Sequence, residues 1–160
     1  MSNSTPFFED VPVGLKIGPL EKGPLSTIHL MRWSAAIENW HRIHYDRDFS
    51  TRHDGLPDLL INGSLKQQFV MQLLKDWAGP AGWVWKASFQ FRAMNKVGET
   101  LRIWARVQSK REVAGFGVAH LELGILNDQG TESTPGTALV ALPFRGGQPV
   151  PYPFMAPQWP

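Results

Sequence analysis

The sequence predicts an α+β domain in which an antiparallel β-sheet wraps one long central α-helix. Three observations carry this expectation. Leu65, Phe69, Val70, Leu73, Leu74 and Trp77 fall on one broad apolar helical face. From residue 83 onward the apolar period drops from about 3.6 residues to 2. The last strands follow one another through turns too short for crossover helices, so they pair antiparallel. A curled sheet around the helix buries both apolar faces; an open sheet with the helix laid on one side is the alternative.

The elements follow in chain order. Pro12, Gly14, Gly18, Pro19, Gly23 and Pro24 make the first two dozen residues loop-rich, with room for one short strand. Residues 27–40 read as a helix because Leu30, Trp33, Ala36, Ile37 and Trp40 recur at helical spacing. A polar stretch leads to the central helix, which Gly79-Pro80 ends. Trp83, Trp85, Ala87, Phe89 and Phe91 then alternate with smaller or polar residues, as a strand with one buried face should. Asn95 to Gly98 signals a turn, and Leu101, Ile103, Ala105 and Val107 form the next alternating strand. Two more strands are expected near 115–126 and 137–143.

Residues 1–144 are expected to form the domain and 145–160 a Pro-rich tail, where neither helix nor central strand is possible. Tyr152, Phe154, Met155 and Trp159 suit a tail packed on the surface, and a loose tail is the alternative.

Composition excludes several functions. With 42% apolar and 19% charged residues the chain is globular, not disordered. The absence of cysteine rules out disulfides, thiolate nucleophiles and Cys-based metal sites. A net charge of +2 with scattered Lys and Arg gives no nucleic-acid footprint. No apolar run reaches the roughly 20 residues of a membrane helix, and the N-terminus shows no secretory pattern. No membrane association is expected, and the expected compartment is the cytoplasm. Seven Trp and nine Phe suit cores and interfaces as well as ligands, so they decide nothing alone.

Chemistry-bearing residues concentrate in Glu38-Asn39-Trp40-His41-Arg42-Ile43-His44-Tyr45-Asp46. Histidine titrates near neutrality, so a positioned imidazole takes and returns a proton with little tuning. Asn39 can hold a water or a substrate oxygen, and Asp46 can orient a neighbour. A polar helix end whose His and Arg satisfy the last carbonyls would look similar. His41, His44 and Asp46 lack the i, i+4 helical pair of zinc proteases, so no metal and no cofactor are expected. The second cue is Asp58-Leu59-Leu60-Ile61-Asn62-Gly63-Ser64, an apolar run reaching a glycine where the central helix begins. Unpaired N–H groups at a helix start carry partial positive charge, so Gly63 N–H suits an oxygen that becomes an enolate. Asn62 or Ser64 acting as an ordinary N-cap is the other reading.

Together, N-W-H-R-I-H-Y-D at 39–46 and L-L-I-N-G at 59–63 resemble the MaoC-like dehydratase/hydratase family of hot-dog proteins, nearest the 3-hydroxyacyl-thioester dehydratase type 2 branch. The stretch from Phe91 to Leu101 resembles that family's strand–turn–strand motif, and the likeness runs from about residue 8 to 144. The resemblance implies acyl thioesters of coenzyme A or an acyl carrier protein, and reversible addition of water to a 2,3-double bond. It assigns His44, Asn39, His41 and Gly63 to catalysis, with Asn62, Ser64, Tyr45, Arg42 and Asp46 beside the substrate. Asn39 stands where the family has an aspartate, His41 where the broader motif has Asn, and Asn62 where a histidine precedes the glycine. Arg92, Lys96, Arg102 and Lys110 are candidates for a carrier phosphate. A homodimer or higher oligomer is expected, or a pairing with a second hot-dog chain. A subunit that needs a partner for activity and an acyl-CoA thioesterase are the alternatives.

Overall fold

The central helix α2 (Gly63–Ala78) lies in the hollow of a five-stranded sheet. The computed structural model describes residues 5–155. The strands are β1 (Lys16–Lys22), β2 (Trp83–Phe89), β3 (Leu101–Val113), β4 (Phe116–Leu126) and β5 (Gly136–Leu142), in the order β1-β3-β4-β5-β2. Each neighbouring pair is antiparallel; short connections require this for β3–β4 and β4–β5, whereas β1–β3 and β2–β5 join strands far apart in sequence. Leu65, Phe69, Val70, Leu73, Leu74 and Ala78 are buried on one side of α2, against Ile103, Ala105, Leu121, Leu123, Ile125 and Val140 of the sheet. Each fully buried Leu or Ile contributes about 1.5–3 kcal/mol. Gly79, at a φ of +65°, closes the helix where an L side chain would be strained. Among the described residues no helix is long and apolar enough to cross a membrane.

Helix α1 (Thr27–Ala36) is shorter than the spacing of apolar residues suggests. Glu38 adopts a left-handed φ of +53° and donates its N–H to the Ala35 carbonyl, while Asn39 N–H reaches back to Ser34. These paired bonds form a Schellman stop, so Ile37 and Trp40 leave the helical face and stand exposed. Residues 39–46 therefore begin a separate loop.

Strand β2 departs in another way. A register shift between Val84 and Lys86 reverses the alternation, so Val84 and Phe89 join the main core. Trp83 and Trp85 turn to the outer face, where they pack with Val118, Leu139, Ala141 and Phe154. The tail makes this possible. Val150 N–H donates to the Ala81 carbonyl, and Phe154 is buried edge-on against Trp85 and Phe116. Tyr152 meets Trp83 edge-on, Met155 is exposed, and Trp159 lies outside the described residues.

Strands β2 and β3 are not neighbours. Residues 90–100 instead cross the end of the barrel and pair with the chain leading into α2. Ile61 N–H donates to Asn95, Val97 N–H to Leu59, and Leu60 bridges Lys96. Phe91 accordingly leaves the strand and is half exposed. This crossing pins the start of α2, and the candidate site is built there.

Candidate active site

Three pieces of chain converge on the first turn of α2: the end of α1, the 39–46 loop and the 90–100 crossing. A short 3₁₀ turn, Arg42–His44, carries the histidine. Leu60 N–H donates to the Ile43 carbonyl at 3.0 Å, and His44 Nδ1 lies 2.8 Å from the Leu60 carbonyl. A carbonyl only accepts, so Nδ1 carries the proton and Nε2 keeps its lone pair. His44 is 9% exposed. Burial pulls its pKa below the ordinary 6.5, and nearby His41 adds to that, against the opposing effect of the Leu60 bond. The ring is thus a neutral imidazole at physiological pH, with Nε2 as a base.

His41 is exposed, with its ring centroid 6.0 Å from that of His44. Asn39 Oδ1 accepts the His41 N–H at 3.2 Å, a local turn that uses the carbonyl half of the amide and leaves the NH₂ half for a ligand. The remaining loop residues hold one another. Arg42 pairs with Asp46 at 2.7 Å and lies over the Phe49 ring. Asp46 also accepts the Phe49 N–H, and that bond and then Arg42 hold its carboxyl below the usual range. Tyr45 donates its hydroxyl to the Trp40 carbonyl and meets the Trp40 ring edge-on. Arg42, Tyr45 and Asp46 thus brace the loop that presents His44.

At the helix start, Asn62 occupies the N-cap position without making a cap bond. Its side chain turns inward, 1% exposed, with Nδ2 3.3 Å from Ser34 Oγ and Oδ1 buried without a partner. Ser64 Oγ accepts the Trp33 indole N–H at 2.9 Å, so it ties the helices together. The first intrahelical donors are Leu65 and Lys66, both to the Asn62 carbonyl. Gly63 and Ser64 N–H precede them at the positive end of the helix dipole. A Cβ at Gly63 would stand 2.8 Å from the Phe91 ring. Glycine lets the half-exposed Phe91 ring lie directly on the helix start, and a Cβ there would push the ring aside.

The structure therefore holds His44 against Leu60, two residues before Asn62 and the start of α2, with Asn39 and His41 on the adjoining loop. Ser34 and Lys66, which lie in this region, escaped sequence reading, and the sequence marks Phe91 and Asn95 as strand and turn residues but not as site residues. Lys66 interrupts the apolar face of α2, and that interruption was the available signal. Of the four candidate phosphate cations, Lys110 donates to Phe8 and Arg102 to Asn127, whereas Arg92 and Lys96 lie on the crossing beside the site. Among the described residues no group of three or more His, Asp or Glu side chains could hold a metal ion.

Residues 19–99, about half of the chain, match the family model for hydroxyacyl-thioester dehydratase type 2. A 46-residue segment is 41% identical to mesaconyl-C(4)-CoA hydratase of Chloroflexus aurantiacus; it covers 29% of this chain and 16% of that enzyme, well under two thirds of its length. An R-hydratase from Pseudomonas aeruginosa superposes with a TM-score of 0.75 at 16% identity, covering 86% of both chains. A Mycobacterium tuberculosis protein described as a double hotdog fold gives a TM-score of 0.72 at 18% identity, over 88% of this chain and 45% of that one. These two likenesses speak for the fold, which is the hot-dog fold. The chain belongs to the hydroxyacyl-thioester dehydratase type 2 family, within the MaoC-like hydratases and dehydratases.

Proposed function

We propose that the protein adds water reversibly to 2-enoyl thioesters of coenzyme A or an acyl carrier protein, and in reverse dehydrates 3-hydroxyacyl thioesters. The observation that supports this best is the His44–Leu60 bond, because it leaves a buried, neutral Nε2 as a proton acceptor. A water held between His44 Nε2 and the Asn39 NH₂ attacks C3 as its proton passes to His44. Electron density moves to the thioester oxygen, which accepts from Gly63 N–H at the positive helix end. The imidazolium then returns the proton to C2, so one water is added and the enzyme is regenerated. One histidine acts as base and acid, consistent with an amide at Asn39, where the family resemblance implies a carboxylate. Asn62 Oδ1, buried and unpaired, remains an acceptor for an ordered water or the substrate.

The half-exposed Phe91 ring lies where the thioester must approach Gly63, so substrate entry requires that ring to swing aside. Ile28, Met31 and Trp40 are exposed along α1 and the loop after it, and they suit coverage by a second hot-dog unit. The purified protein, incubated with crotonyl-CoA and bulkier 2-enoyl-CoAs, should remove the enoyl-thioester absorbance with saturation. Thioester binding without absorbance loss would replace this reading with a subunit that needs a partner chain.

A further inference from the structure

Among the described residues, Lys66 is the charged side chain that folding buries beside this site, at 3% exposure. It follows Gly63 by three residues, which puts the two on the same side of α2. Its Nζ donates to the Ala93 carbonyl and to Asn95 Oδ1, both at 3.1 Å, and lies 5.1 Å from the Phe91 ring centroid. That same ring packs on Gly63. Asn95 in turn donates to Glu99 at 2.9 Å, and its carbonyl accepts the Ile61 N–H at 2.8 Å. One ammonium therefore joins the first turn of α2 to the crossing segment.

The charge is costly here. A cation in the first turn opposes the helix dipole, and burial removes its hydration. A neutral side chain at this position would avoid placing a full charge there. An anion developing at the helix start gives the positive charge a purpose, and the enolate oxygen of the proposed hydration is such an anion.

We propose that Lys66 is a positioning residue for this hydration, setting the positive potential behind Gly63 N–H and holding the Phe91–Asn95 segment over it. The inference rests on the hydratase reading. Glu99, on the crossing segment, is the charged group that couples to Lys66; Asn62 and Val70 a turn away on α2, and Ala93 and Asn95 opposite, are uncharged. Burial outweighs Glu99 and pushes the lysine pKa down to about 8.

The test is kcat and KM for 2-enoyl-CoA hydration between pH 6 and pH 10, with circular dichroism as the folding control. The wild type should lose kcat above about pH 8, as the ammonium deprotonates. Lys66→Met should lower kcat at neutral pH about 10–100-fold, with KM far less affected, and abolish that alkaline limb. Lys66→Arg, charged throughout, should retain most of kcat and show no limb in this range. If Lys66→Met fails to fold, Glu99→Gln gives the same reading, because removing the carboxylate should move the limb to lower pH. A folded Lys66→Met enzyme with wild-type kcat and pH profile overturns this inference alone. A wild type that hydrates no thioester overturns the hydratase reading and this inference with it.

Discussion

His44 and Leu60, sixteen residues apart, hold each other through a two-way contact: Leu60 N–H bonds to the carbonyl before His44, and Leu60 C=O accepts from the His44 ring at 2.8 Å. The backbone of one motif thereby fixes the tautomer of the other. Since the acceptor is main chain, no side-chain substitution at Leu60 removes it, and the ring itself is the point of attack. His44→Ala should lower kcat about 10²–10⁴-fold, the usual share of a general acid–base residue, with the far-ultraviolet circular dichroism unchanged. Steady-state hydration kinetics check this.

The pH dependence follows from the direction of the His44 shift. Burial keeps the folded-state pKa below 6.5, so Nε2 remains a free base through neutral pH and the acid limb of kcat/KM should fall below 6.5. The same shift couples to stability. Unfolded chains bind this proton more readily than folded ones, so the full contribution is present above 6.5 and is lost as pH falls toward the folded value. Denaturant melts at several pH values between 4 and 8 should show that loss, and His44→Gln should flatten part of it.

Gly63 has two roles that a double substitution separates. A methyl group there meets the half-exposed Phe91 ring at 2.8 Å, so Gly63→Ala should push the ring aside and destabilise the fold by about 1 kcal/mol or less. Adding Phe91→Ala should recover most of that stability by removing the clash. Thermal melts of the two single variants and the pair test this directly.

Asn39 accepts the His41 N–H through Oδ1, a bond that an aspartate can also make. Asn39→Asp should therefore fold normally and supply the carboxylate that the family resemblance implies at this position, raising kcat. Asn39→Ala should lose both the turn and the water-orienting amide and lower kcat about tenfold or more. Circular dichroism and kinetics on the pair separate the chemical from the structural effect.

Much of the fold was legible because apolar period reports burial directly. The face Leu65-Phe69-Val70-Leu73-Leu74 and the alternation Leu101-Ile103-Ala105-Val107 each had one consistent solution, and the structure buries all of them. Features that depend on a single backbone angle or a distant segment were not legible. The stop at Glu38 needs a left-handed residue where the sequence has no glycine, so the apolar spacing ran on to Trp40. Trp83 and Trp85 face outward because a bulge shifts their phase and the tail residue Phe154 covers them, seventy residues downstream.

In the site, the HRIHYD and LLING segments stood out by residue type, and the structure brings them together through Leu60. The outward lean of Phe91 over Gly63, and the bonds of Lys66 to Ala93 and Asn95, depend on residues 90–100 crossing from β2 to β3. Alternating strand patterns suggest a hairpin there, and pairing of β2 with β5 is decided by the whole sheet.

The most direct measurement is the disappearance of enoyl-thioester absorbance when wild type and His44→Ala are each mixed with crotonyl-CoA and longer 2-enoyl-CoAs. A saturable loss in the wild type that falls at least about 100-fold in a folded His44→Ala is the predicted result. A His44→Ala protein that hydrates as fast as wild type would contradict the account at its centre.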